Sequence, residues 1–173
     1  MENNNNKVGG FDIKPQQFAH KEQVYVCAPL SVKTRDKTLK TLYEGSEYVE
    51  YVKKEMQYFA IAVHTYLPAF INDKILANRD EMKKLRTQII EQCDIVMVCG
   101  EKVSREMKQD ILYAIERRKK IVVFTREVFQ IVMKLMEISE VREFDLRYDE
   151  NHPRLAKSVK LETVNGVLKR CCG

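Results

Sequence analysis

Four short apolar runs, separated by longer amphipathic stretches, constrain this chain more than any other feature. They read VYVCAPL (24–30), YFAIAVH (58–64), DIVMVCG (94–100) and KIVVFT (120–125). Within each run apolarity is continuous rather than alternating, the mark of a strand buried on both faces. β-Branched and aromatic residues with flanking Gly or Pro favour strand over helix. The stretches between them carry helical spacing. The first runs from about Lys37 to Gln57, with Leu39, Leu42, Tyr43, Val49, Val52 and Met56 on its apolar stripe. The others are Asp80–Gln92, Ser104–Arg118 and Glu127–Ile138. Gly45 inside the first costs that helix about 1 kcal/mol. Strands alternating with helices imply a parallel sheet clad on both faces, and right-handed crossovers make it open and doubly wound. The expected fold class is therefore α/β: a flavodoxin-like doubly wound parallel sheet, order 2-1-3-4-5, with a C-terminal β-hairpin extension.

The fifth strand is expected from VREFDLRYD (141–149), and the hairpin from KLETVNGVLKR (160–170), where Asn165-Gly166 is a type I′ turn signal. A lone hairpin is marginal in water, so it is expected to pack on the sheet edge or on another subunit. Residues 1–20, polar and Asn-rich, read as a disordered tail; 21–140 read as the α/β domain, and 141–173 as the edge strand and hairpin extension. A length of 173 residues suits one such domain. The net charge of +5 is mild and scattered, so nucleic acid is not expected as a partner. The runs around Lys33–Lys40, Arg117–Lys120 and Lys169–Arg170 read as solvated faces. No run is long enough to span a membrane, and MENNNNKVGG lacks the apolar core of a secretory signal. Five cysteines, an odd count with three in or beside apolar strands, fit a reducing cytoplasm. No Cys or His spacing suggests zinc, and no metal or cofactor is expected.

In an open α/β sheet, ligands bind beyond the carboxyl ends of the strands. CAPL, VHTY and CGEKVS converge there, bringing Ala28, Pro29, His64 and Gly100 to one edge. Ser104 is a preferred N-cap, and the helix mouth it opens is a potential anion site. Met107 and Asp110 lie three apart and share a face of that helix. Each residue also has a plain reading. Ser104 can be only a cap, Met107 can belong to a core stripe with Ile111 and Ala114, and Asp110 can be a solvated acid. His64 can be a hydrogen-bonded structural residue, and Tyr25, inside a strand, can be half core.

Taken together, the segments over roughly residues 23–125 resemble the nucleoside 2-deoxyribosyltransferase superfamily, including its deoxynucleotide N-hydrolase branch. Tyr25-Val26-Cys27-Ala28-Pro29 stands where that superfamily has a Tyr-Leu-Ala-Gly-Pro signature. Glu106 to Ala114 stands where it has Gly-Thr-x-x-Glu-x-Gly-x-Ala. The chain looks closest to an uncharacterised subgroup with segments like YVCAPL, PHLYFPQF and SEGMKxEI, against YVCAPL, VHTYLPAF and SREMKQDI here. The resemblance implies a helix carboxylate attacking the anomeric carbon of a nucleoside, as in retaining glycosidases. Asp110 takes the nucleophile's place. Tyr25 and His64 would orient the nucleophile and the sugar, and Ala28, Pro29, Gly100, Ser104 and Met107 would line the substrate. Ser104 matches a Ser that helps hold a 5′-phosphate, which favours a nucleoside monophosphate. The resemblance also implies a homo-oligomer.

This chain departs from the pattern at several places. Asp110 is one methylene shorter than Glu. Glu106 replaces a Gly and sets a negative charge beside the anion site. Arg86 stands where the superfamily often has its proton-donating Asp, with Asp73 and Asp80 as possible substitutes. Two readings follow. One is cleavage or transfer of an N-glycosidic bond of a nucleoside or nucleotide; the other is a catalytically inactive nucleotide-binding protein, a sensor or a sequestering protein, on the same fold.

Overall fold

The structure is a computed structural model that describes residues 21–31, 33–66, 78–164 and 167–170, from residue 161 onward as backbone alone. In chain order the elements are β1 (Gln23–Cys27), α1 (Arg35–Lys54), β2 (Phe59–Ile61), α2 (Val63–Tyr66), α3 (Arg79–Gln92), β3 (Ile95–Val98), α4 (Arg105–Glu116), β4 (Lys120–Val123), α5 (Arg126–Ser139), β5 (Leu146–Tyr148), β6 (Leu161–Val164) and β7 (Val167–Arg170).

The first five strands form one sheet in the order β2-β1-β3-β4-β5, every pair parallel, as the alternating pattern predicts. β6 and β7 pair antiparallel as a separate hairpin, from Leu161↔Arg170 to Val164↔Val167. The turn at Asn165-Gly166, the 1–20 tail and most of the 66–78 connection lie outside the described residues.

Alternate residues of each central strand feed opposite layers, which is the two-residue repeat of a strand at work. Tyr25, Cys27, Val96, Val98, Ile121 and Val123 pack under α3, α4 and α5, whose stripes supply Ile90, Ile111 and Val132 among others. Val24, Val26, Ile95, Met97 and Val122 pack under α1, through Tyr48, Val49 and Val52, and under Leu155. The helices begin where the sequence supplies caps. Thr34, Asn78, Ser104 and Thr125 each accept a first-turn amide with the side chain.

The second apolar run differs from its expected form. Only Phe59–Ile61 is strand; Val63–Tyr66 turns into a helical turn, so His64 belongs to α2 rather than to a strand end. The parallel ladder with β1 engages three residues, Phe59 to Ile61, and beyond it Ala62 and Val63 are buried without needing strand pairing. No helix among the described residues is long and apolar enough to cross a membrane.

Candidate functional site

Asp110 sits in the second turn of α4 and points into the protein: it is 4% exposed. Tyr25, from the middle of β1, donates its hydroxyl to Asp110 Oδ2 at 2.9 Å. Arg86, from α3, donates Nε to Asp110 Oδ1 at 2.7 Å. It also reaches Gln109 Oε1 through Nη2 at 3.4 Å. Strand and two helices thus converge on one carboxylate, with both oxygens engaged.

Burial pushes the Asp110 carboxyl above its ordinary value, against the opposing pull of the Arg86 guanidinium and the Tyr25 hydroxyl, while Glu106 adds to the rise. Burial, followed by the neighbouring Asp110 charge, drives Tyr25 well above the usual phenol range, so it remains the donor. Arg86 keeps its charge: burial works against it, and Asp110 outweighs that. The cluster is a buried ion pair closed by a tyrosine hydroxyl.

The other residues singled out in the sequence fall into separate small groups. His64, 1% exposed, hydrogen-bonds through Nε2 to the carbonyl of Pro29 at 3.0 Å. A carbonyl only accepts, so Nε2 carries the proton and Nδ1 is a bare lone pair; it has no hydrogen-bond partner among the described residues. Gly100, at the end of β3, has φ +94° and approaches Pro29 and the Tyr48 hydroxyl. Its amide donates to Leu155 O at 2.8 Å. Ala28, the residue before Pro29, is buried in the same apolar cluster as Tyr48 and Leu155. Ser104 caps α4 by accepting the Met107 amide at 3.2 Å, while the Met107 sulfur accepts the Ser104 amide at 3.5 Å. Met107 is a core residue, 2% exposed. Among the described residues no cluster of His, Cys, Asp or Glu could hold a metal ion.

Arg86 is the site residue that the sequence reading met only as a misfit. Its signal was available: Met82, Arg86, Ile89 and Ile90 form the buried stripe of α3, and a cation inside such a stripe demands an anion. Asp80 stands exposed in the first turn of α3, and Asp73 lies outside the described residues. A cleft of about 530 Å³ lies elsewhere, on the α1 side of the sheet, lined by Met56, Tyr58, Met97, Val122 and Tyr148 among others. Tyr25, Arg86 and Asp110 do not line it.

No curated protein matches this sequence. A family described as a domain of unknown function (DUF7768) matches residues 22–124, the stretch that holds β1 to β4 and the whole Tyr25–Asp110–Arg86 cluster. By that match over more than half its length, the chain belongs to the DUF7768 family.

Proposed function

We propose that this chain is a non-catalytic binding protein for a nucleoside or nucleotide, on a scaffold like that of the nucleoside 2-deoxyribosyltransferases, and that its helix acid serves as a structural anchor. The observation that carries this reading is the engagement of both Asp110 oxygens, one by a guanidinium and one by a phenol. A nucleophilic carboxylate must present a charged, reachable oxygen about 3–3.5 Å from the anomeric carbon; each bonded oxygen keeps a second lone pair, so what counts against Asp110 is its burial and the guanidinium that offsets its charge. Here the oxygen not held by tyrosine is held by Arg86, in a side chain only 5% exposed. Freeing it would leave a buried cation unpaired, which is costly. The carboxyl edge around Pro29, Gly100 and Ser104 remains the supported place for a ligand, by the general rule for open α/β sheets. The resemblance supports a homo-oligomer, and three buried free cysteines, Cys27, Cys93 and Cys99, support a cytoplasmic home.

Melting curves against a library of nucleosides and their phosphates test this reading. A ligand at a hundred times its Kd adds about 2.7 kcal/mol of stability. Stabilisation without release of free base is the expected result, and flat curves across the library would overturn it.

One observation favours a second reading, cleavage or transfer of an N-glycosidic bond with Asp110 as nucleophile. The Tyr25 hydroxyl on Oδ2 is the contact that would orient such a carboxylate. This reading requires a substrate to reach the remaining lone pair of a buried Asp110 oxygen, since each hydrogen bond takes up only one. It expects free base from some nucleoside monophosphate, lost in Asp110→Asn; a wild type that releases none from the panel rules it out for that panel.

A further inference from the structure

The two faces of the parallel sheet are covered unequally. α3, α4 and α5 line one face, while α1 alone of the described helices packs on the other, over β1 and β2. A parallel sheet ordinarily has both faces covered. Over β3 and β4 the second face is left to residues 149–160, which place Leu155, fully buried, in the same apolar cluster as Met97, Val122 and Phe124. That segment fills only part of the space. The rest is the cleft of about 530 Å³, with Met97 and Val122 of the sheet as its floor and Met56 and Tyr58 on its α1 side. Its volume is that of a small-molecule pocket.

The charges on the cleft are distributed unevenly. Side chains alternate along a strand, so Lys120 points to the same face as Val122 and Phe124. Arg147 stands opposite Val122 in the β4–β5 ladder and points there too. The sequence groups Lys120 with a solvated basic run, yet it is half-buried, and it forms no ion pair among the described residues. The acid nearest it in register is Asp145, one step before Leu146 in the ladder, and Asp145 is taken by Arg147 Nε at 3.1 Å. Two cations and one acid leave a surplus of a single positive charge, with the lysine ammonium and both Nη groups of the arginine still to be satisfied. The remaining charged groups on the cleft, Arg126, Asp149 and Glu150, lie in sequence beyond the carboxyl ends of β4 and β5. Asp149 is spent in its own turn: one oxygen accepts the Asn151 amide at 2.8 Å, and the other lies 2.8 Å from His152 Nδ1.

We propose that this cleft binds an organic monoanion with an extended apolar body, of the class of medium-chain carboxylates. The body lies along Met56, Met97 and Val122, where the two thioethers adapt to its shape. The head meets Lys120 and the free edge of the Arg147 guanidinium, a fork that matches a carboxylate. An inorganic anion would gain nothing from the apolar floor, and an uncharged chain would leave the cations without a partner. Pro29, Gly100 and Ser104 do not line the cleft, so this site stands apart from the one proposed for a nucleotide, and its failure leaves that reading in place.

Decanoate is the probe, with 1-decanol as its uncharged counterpart, both on the full chain. Displacement of fluorescent 8-anilinonaphthalene-1-sulfonate, itself an apolar monoanion, reports occupancy. The expected result is one saturable dye site per chain, from which decanoate displaces the dye about tenfold more effectively than 1-decanol. Decanoate is also expected to raise the urea midpoint, as a ligand of the folded state does. Lys120→Gln and Arg147→Gln are each expected to weaken decanoate about tenfold and to leave 1-decanol unchanged. Glu150→Gln, at the other end, is expected to leave decanoate binding as it is. Arg147 is exposed, so its variant tests the head contact even where Lys120→Gln disturbs β4. Absence of a saturable dye site overturns the proposal. Equal displacement by decanoate and 1-decanol does so too, as does an Arg147→Gln protein that binds decanoate like the wild type.

Discussion

Gly45 and His64 occupy one space. A Cβ built on the glycine would stand 2.4 Å from Cγ of the imidazole and 2.8 Å from Nδ1. The glycine therefore sits inside α1 for a reason that outweighs helix propensity: it lets a buried ring press against the helix backbone. The ring has nowhere to retreat, being 1% exposed and fixed through Nε2 to the Pro29 carbonyl. In an open helix Gly→Ala gains up to about 1 kcal/mol. Here Gly45→Ala is expected to lose about 1–3 kcal/mol, the usual cost of overpacking, read as a lower urea midpoint at unchanged m-value.

His64 also makes folding sensitive to acid. Burial lowers its pKa below the ordinary imidazole value of about 6.5, with the Pro29 hydrogen bond only partly opposing the shift. Protonation would place a second N–H where the described residues offer no acceptor. The unfolded chain, by contrast, takes up that proton near pH 6.5. Below that point the unfolded state binds more protons than the folded one, so this contribution is complete above about pH 6.5 and declines as pH falls toward the lowered folded value. Urea midpoints of the wild type are expected to drop between about pH 7.5 and about pH 5. In His64→Asn the corresponding drop should be smaller; an equal drop would mean that other groups carry it.

Much of the fold was legible because the signal is periodic. Four continuous apolar runs predict four buried parallel strands, and the structure has them in the expected order. The end of the second run was not legible. Ala62 and Val63 are as buried as strand residues, and apolarity alone does not distinguish a short strand from a buried helical turn. Tyr25 and Asp110 lie 85 residues apart, and only the resemblance linked them in advance. Arg86 was legible in kind but not in partner. Its stripe on α3 says that a buried cation needs an anion, while the choice of Asp110 over the other acids depends on how α3 and α4 pack over β1.

The Arg86–Asp110 pair is expected to behave as a buried ion pair does. Arg86→Met leaves a carboxylate buried with one hydroxyl donor; Asp110→Asn leaves the guanidinium without its counter-charge. Each single change is expected to cost about 3–5 kcal/mol. Arg86→Met combined with Asp110→Leu removes both charges and should cost less than either alone. A double-mutant cycle by urea unfolding measures this, and additive losses would contradict a direct pairing.

Gly100 separates backbone strain from crowding. An added Cβ would meet Pro29 Cδ at 3.4 Å and the Tyr48 hydroxyl at 3.5 Å, ordinary contact distances. Space does not forbid alanine there; the φ of +94° does, because an L side chain is strained in that region. Gly100→Ala is therefore expected to cost about 1–3 kcal/mol through the backbone. Part of that strain can be relieved by turning the peptide, which would break the amide's hydrogen bond to Leu155. The variant should then lose exchange protection at Gly100 before global unfolding. If it melts like the wild type and keeps that protection, backbone strain does not govern which residue position 100 accepts, and the Gly100–Leu155 hydrogen bond does not depend on glycine there.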